Sequence, residues 1–469
     1  MKSQLKGMAA GQGFARLAGL FAAGAVALVI ALMSFHAFLS TWAGAALGNE
    51  LVWKSWKELV LGVAIIGLLT SAYWYRDVFL RVVRRPISLV IFAFLGLHLL
   101  LAAILQTPGG STLAGLMTNL RFLAIFLLAQ LLVELFPHGT VRLRTWLTRT
   151  VLVCGVLVAL IGLLQVTVIP RDFLVQFGYD KFTTIAPFIL VDEQEHALRA
   201  FATLRGPNTL GMFLLLPLGM LSVLAARRQR LALTVPAVAI VALGIFATGS
   251  RSAWLGAVAV MIALLLALAG RKRLLRLAKR YGALVVIILG VLVLVAESVP
   301  AIRLAIFHSS PGDPSLTEGS TDKHFEATAG GIVDAALHPF GRGPGEAGPA
   351  SFYSPNGPRI AENYYVQVAQ EVGIIGLGLL LTILYIVARR LWRLVQSRGA
   401  SPLALGLFAS FWGIAVINLF LHGWADDPTA LVWWGLAGLL PLADNGTHER
   451  STRRTQSGKK TDKSPARTA

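Results

Sequence analysis

One cysteine, Cys154, is all the thiol the chain holds, which excludes a disulfide framework and any cysteine-based metal site. It falls inside an apolar run and reads as a packing residue. Charge is scarce as well: 14% of residues are charged and 56% hydrophobic, with a mean hydropathy of +0.69. A soluble globule carries about a quarter charged residues, so a chain of 469 residues with this composition is not one. Acidic residues are the scarcer charge, 23 against 42 Lys and Arg, giving a net charge of +19. No internal repeat is visible, which removes solenoid and propeller architectures.

What the chain has instead is hydrophobic runs of about the 20 residues needed to cross hydrocarbon. Twelve are apparent, near 17–39, 57–75, 87–105, 118–136, 150–169, 207–225, 232–248, 253–270, 281–297, 364–388, 402–422 and 429–443. The first follows Lys2, Lys6 and Arg16 and precedes "AGA" at 43–45, a layout shared with signal peptides. Its apolar core is longer than theirs, so a retained helix is expected. The expected fold is an all-α polytopic membrane protein with about twelve transmembrane helices.

Basic residues cluster at alternate loops: the N-terminus, 76–85, 141–149, 227–230, 271–280, 389–398 and the tail, together holding 30 of the 42 Lys and Arg; with Glu134 counted on their side, they hold only 5 of the 23 acids. By the positive-inside rule these loops and both termini are cytoplasmic. The same asymmetry accounts for the net charge without nucleic acid. Residues 444–469 are polar, basic and aperiodic, and read as a disordered cytoplasmic tail that touches anionic lipid at most.

Two outer loops are long, about 170–205 and 298–363, and loops of that length tend to be functional or disordered. The first includes "DEQEHALRAF" (192–201), a short surface helix by its pattern. The second includes "DKHFEATAGGIVDAAL" (322–337), whose Phe325, Ile332 and Ala336 predict a helix lying over the bundle. Arg199, Arg205 and Arg251 fall on the outer side next to apolar segments. Guanidinium meets phosphate oxygens in pairs and stays charged when buried, so an arginine pocket there points to a phosphorylated lipid. Alternatively these side chains snorkel to headgroups or pair with Asp192, Glu193 and Glu195. His338 opens a Gly/Pro-rich segment and titrates in the right range for a general base; His196, His308 and His324 share its side. "GRGPGEAG" (341–348) lacks the Lys-Ser/Thr ending of a phosphate loop and departs from G-x-G-x-x-G at Glu346. The outer loops contain neither D-x-D nor H-E-x-x-H. No metal site or cofactor is therefore expected.

Four motifs occur in order between membrane segments: "RAFATLRGPNTLG" (199–211), "TGSRSAWLG" (248–256), "HPFGRGPG" (338–345) and "ENYYVQVAQEVGIIGL" (362–377). They resemble the superfamily of O-antigen ligases, O-antigen polymerases and protein O-oligosaccharyltransferases. The resemblance implies a transmembrane glycosyltransferase unit over 1–443, with its large periplasmic loop at 298–363. It implies transfer, at the periplasmic side of the bacterial inner membrane, of O-antigen from undecaprenyl diphosphate to lipid A–core. Arg199 and Arg251 would hold the diphosphate, with Arg205 at a less common position, and His338 would be the catalytic base. Many relatives have His-Asn where this chain has Glu362-Asn363, so these two are assigned to orienting the acceptor hydroxyl. Within the superfamily, polymerase and protein O-oligosaccharyltransferase are the alternatives to ligase. A secondary transporter of an anionic solute is the alternative from another class, although transporters show repeats and midplane polar sites that are not evident here.

Overall fold

Backbone in hydrocarbon has to satisfy its own hydrogen bonds, which favours helices. The computed structural model describes residues 2–190, 198–269, 320–397 and 399–441, with Arg276 and Arg280. Its helices are α1 Lys2–Leu32, α2 His36–Leu47, α3 Glu50–Thr70, α4 Arg76–Val83, α5 Pro86–Ile104, α6 Gly109–Leu135 and α7 Pro137–Thr167, then α8 Pro207–Ala226, α9 Leu231–Ala247, α10 Arg251–Ala269, α11 Ser320–Leu337, α12 Tyr364–Gln396, α13 Pro402–Ile417 and α14 Asp427–Gly438. Among the described residues the only extended pairing is one bridge between Leu190 and Leu198.

Among the described residues seven stretches are long and apolar enough to cross a membrane: Gln12–Leu47, α5, α6, α7, α8, α10 and α12; α9 and α13 are apolar but shorter. Eleven of the twelve expected runs fall on helices. The twelfth, 281–297, lies outside the described residues, as do Asp192, Glu193, Glu195, His196, most of the expected 192–201 helix, His308 and the 444–469 tail. α3 carries Glu50, Lys54, Lys57 and Glu58, and α14 has 12 residues, so neither meets the same test. Leu17, Val63, Leu69, Val153, Leu243 and Ile262 are among many exposed large apolar side chains. Such a surface belongs against lipid, and the chain is a multi-pass membrane protein.

α8 is the most enclosed of the spans. Small residues bring α10 and α13 close to it and to each other: a Cβ at Gly413 would come 2.7 Å from the Gly256 carbonyl oxygen, and one at Gly219 3.2 Å from that of Gly406. Close backbone approach replaces the hydrophobic drive that lipid removes. A buried ionic group joins α3, α6 and α14, with Lys57 Nζ 3.1 Å from both Glu58 and Asp427, and Arg121 also on Asp427. The N-terminal ends of α8, α10 and α12 meet the C-terminal ends of α9 and α13, and the expected outer helix, α11, lies across them.

Candidate active site

The turn between α9 and α10 is built by Thr248, Gly249 and Ser250. The Thr248 hydroxyl accepts from the Ser250 N–H at 3.1 Å, and Gly249 takes a left-handed φ of +59°. A side chain at Gly249 would press on the neighbouring Arg199 guanidinium, 3.4 Å from Nε. Arg199 Nε donates to the Thr248 carbonyl at 2.9 Å and its Nη2 to Asn208 Oδ1 at 3.1 Å. Arg251 is the first residue of α10, at the positive end of the helix dipole. The Ser250 and Ser252 hydroxyls lie 3.2 Å apart beside it.

Arg199, Arg251, Ser250, Ser252 and Asn208 line one side of a cavity of about 410 Å³. The far wall comes from α11 and the segment before α12, through His324, Phe325, Thr328 and Glu362, with Leu419 to Leu421 completing it. Two guanidiniums, two hydroxyls and a helix N-terminus at one concave surface are the donor types that suit an anion. Arg205 is exposed on the turn before α8 and does not line it.

Glu362 has φ of +53°, a conformation that costs a residue with a Cβ about 1–2 kcal/mol. The neighbouring cap explains how it is held. Asn363 Oδ1 accepts from the Tyr365 and Val366 N–H groups at 3.0 and 3.1 Å, its Nδ2 donates to the Leu419 carbonyl at 3.0 Å, and the Tyr364 N–H donates to the Asn418 carbonyl at 3.0 Å. Asn363 is thus the buried N-cap of α12, and it does not line the cavity. Glu362 does, with its carboxylate 3.5 Å from His324 Nδ1. Strain of this kind collects at functional positions.

His338 is elsewhere. His324 and His338 stand at opposite ends of α11, separated by roughly 20 Å at the helical rise. His338 Nδ1 lies 2.9 Å from the Asp334 carbonyl oxygen, and so is the protonated ring nitrogen, with Asp334 Oδ1 at 3.3 Å. His338 is not among the residues that line the arginine cavity, whereas Glu362 and His324 are. The signal for His324 was its i, i+4 relation to Thr328 on one face of α11.

The Gly-rich segment after His338 holds a residue of the protein itself. The Arg342 and Gly343 N–H groups donate to the Gln370 and Glu371 carbonyls at 2.8 and 2.9 Å, and the Ile374 N–H donates to the Pro339 carbonyl at 2.9 Å. Val372 and Gly373 break the helix there, with φ of +70° at Gly373. The Glu371 carboxylate is fully buried and accepts from Asn119 Nδ2 at 2.5 Å, Gln367 Nε2 at 3.4 Å and the backbone N–H groups of Gly345 and Ala347. Gly345, at φ +81°, leaves no room for a Cβ against the Ser111 carbonyl. A loop shaped like a phosphate cradle thus encloses a carboxylate of α12.

The geometry is that of a helical membrane protein with two arginines and a strained carboxylate on one cavity. A family model for O-antigen ligase matches residues 236–381, from α9 through the Arg251 turn, α11, the Gly-rich loop and Glu362 into α12. That match supports the O-antigen ligase superfamily over this stretch, about a third of the chain. No curated protein matches it. Arg199 and Arg205 lie outside the matched stretch.

Proposed function

We propose that this chain is an O-antigen ligase, transferring O-antigen polysaccharide from undecaprenyl diphosphate to a sugar hydroxyl of lipid A–core at the periplasmic side of the inner membrane. The observation that carries the reading is the convergence of Arg199, Arg251 and Glu362 on one cavity. Arg199 and Arg251 hold the donor diphosphate, helped by the Ser250 and Ser252 hydroxyls. Glu362 accepts the proton of the acceptor hydroxyl as that oxygen attacks the anomeric carbon. The glycosidic C–O bond to the diphosphate breaks on the opposite face, so a single displacement inverts the anomeric centre. Negative charge grows on the leaving phosphate, where fixed guanidiniums stabilise the transition state more than the ground state. His324 keeps the Glu362 carboxylate turned into the cavity. Arg205 meets the phosphates of the incoming lipid at the cavity's approach.

Gene deletion tests the whole reading. Polymer should vanish from lipid A–core and accumulate on its lipid carrier; a single-repeat cap on the core would instead indicate a polymerase. Truncating a desolvated charge contact costs about 2–5 kcal/mol. Arg199→Ala and Arg251→Ala should each lose on the order of 30-fold or more in transfer at matched expression, and near-normal turnover in both would remove the phosphate pocket. The reading assigns charge stabilisation to arginines, so transfer in vitro should survive EDTA. Activity lost to chelation and restored by Mg²⁺ or Mn²⁺ would contradict that assignment.

A further inference from the structure

α11 crosses the 359–362 segment, and the crossing has two flanks. The Thr328 hydroxyl donates to the Ala361 carbonyl at 2.9 Å. Gly331 permits the approach, since a Cβ there would come 2.7 Å from that of Ala361. One flank is the arginine cavity. The other is a second cavity of about 280 Å³, lined by Gly330, Asp334, Arg359, Ala361 and Gln370 among others.

Its polar groups, Asp334, Arg359 and Gln370, are fixed and of mixed sign. Asp334 Oδ1 accepts from Arg342 Nε and Nη2 at 2.9 and 2.5 Å, while its Oδ2 accepts from Gln370 Nε2 at 2.8 Å and lies 3.7 Å from Arg359 Nε. Burial pushes the Asp334 carboxyl up, but the bonds from Arg342 and Gln370 and the charges of Arg342 and Arg359 outweigh it and keep the group below the usual carboxylate range. Arg359 is braced by Nη1 donating to the Glu346 carbonyl at 2.8 Å. Gln370 is 1% exposed, and its Oε1 is a buried acceptor with no hydrogen-bond partner. A buried polar atom left unpaired costs about 1–3 kcal/mol, so a ligand donor is the natural complement to it. Gly330 leaves the α11 side open, with no atom within 4 Å of where its Cβ would stand.

We propose that this second cavity is the subsite for the acceptor saccharide, a ligand class recognised by its hydroxyls. A hydroxyl donates and accepts, and so matches a carboxylate, a guanidinium and an orphan carbonyl oxygen set side by side. The fixed Asp334 carboxylate disfavours a phosphate there. The charged and amide groups of Asp334, Arg359 and Gln370 in its lining disfavour an acyl chain. The position also fits. Ala361 faces this cavity and Glu362 the other, and consecutive Cα atoms are about 3.8 Å apart. A sugar seated against Asp334 and Gln370 therefore needs only to reach across one residue to present a hydroxyl to Glu362. The inference rests on the transfer reading given above for the identity of its ligand, and the test separates the two.

The probe is the lipid-free core oligosaccharide released from the bacterium's own lipopolysaccharide. Its binding to the full-length protein, without donor, is followed by saturation-transfer NMR and calorimetry. Gly330→Ala adds one methyl at an open helical site and should bind like wild type. Gly330→Phe fills the cavity and should weaken binding at least tenfold, with Gly330→Leu between. All three should keep their thermal midpoint. In transfer assays the same order should appear in the acceptor KM, with the donor KM unchanged. Equal oligosaccharide affinity in Gly330→Phe and wild type, or no binding by a wild type that transfers, overturns the subsite and leaves the transfer reading intact. Binding that follows the Gly330 series in a protein without transfer activity supports the subsite and removes the transfer reading instead.

Discussion

Glu362→Gln should cut glycan transfer by about 10²–10⁴-fold, the usual contribution of a positioned general base. Gln keeps the size of the side chain and its place beside His324, and it tolerates the φ of +53° no better or worse than Glu. What it loses is the ability to take a proton at neutral pH. Donor affinity, set by Arg199 and Arg251, should be unchanged, as should the thermal midpoint. His338→Gln is the matched control. Its ring donates to the Asp334 carbonyl, a bond that the Gln amide can replace, so transfer should stay within a few-fold of wild type. Glu362→Gly adds a second readout, because glycine relieves a strain of about 1–2 kcal/mol: the protein should be inactive yet more stable. Near wild-type turnover in Glu362→Gln together with loss in His338→Gln would return the base to His338.

The second large effect is structural. Glu371→Ala strips the acceptor from Asn119 Nδ2 and from the Gly345 and Ala347 N–H groups, all at a fully buried position. Each donor left unpaired costs about 1–3 kcal/mol, so a loss of about 3 kcal/mol or more is expected. It should appear as a lowered thermal midpoint in detergent and as faster proteolysis within 341–359. Glu371→Gln should also be impaired, since its amide turns two hydrogens towards groups that are themselves donors. If Glu371→Ala melts like wild type, the Gly-rich loop is held by something other than this carboxylate.

The helices were legible because their apolar runs are long and their punctuation is plain. α11 was foreseen over 322–337 and spans Ser320–Leu337. Arg199 and Arg251 were also legible, from the rarity of positive charge on the outer side, and they do meet at one cavity. Which of their neighbours joins them was not. His324 and His338 look alike in the sequence, and only the crossing of α11 over 359–362 brings one to Glu362 and leaves the other at the far end. Asn363 reads as a polar residue in a motif, yet its hydrogen bonds cap α12 and fasten Leu419, a partner 56 residues away. Glu371 did carry a signal in an ionisable group inside an apolar helix, which is expensive and seldom idle. Its purpose emerges only when the glycines of 341–348 fold back on it.

The Asn119 to Glu371 contact spans 252 residues of chain. During synthesis α6 is therefore made long before its partner exists, and the loop that Glu371 closes also precedes α12. Contacts of such long range are slow to form and come late. A nascent chain stopped after α11 has both arginines but neither the Glu371 clamp nor Glu362, so the cavity is complete only once α12 has been made.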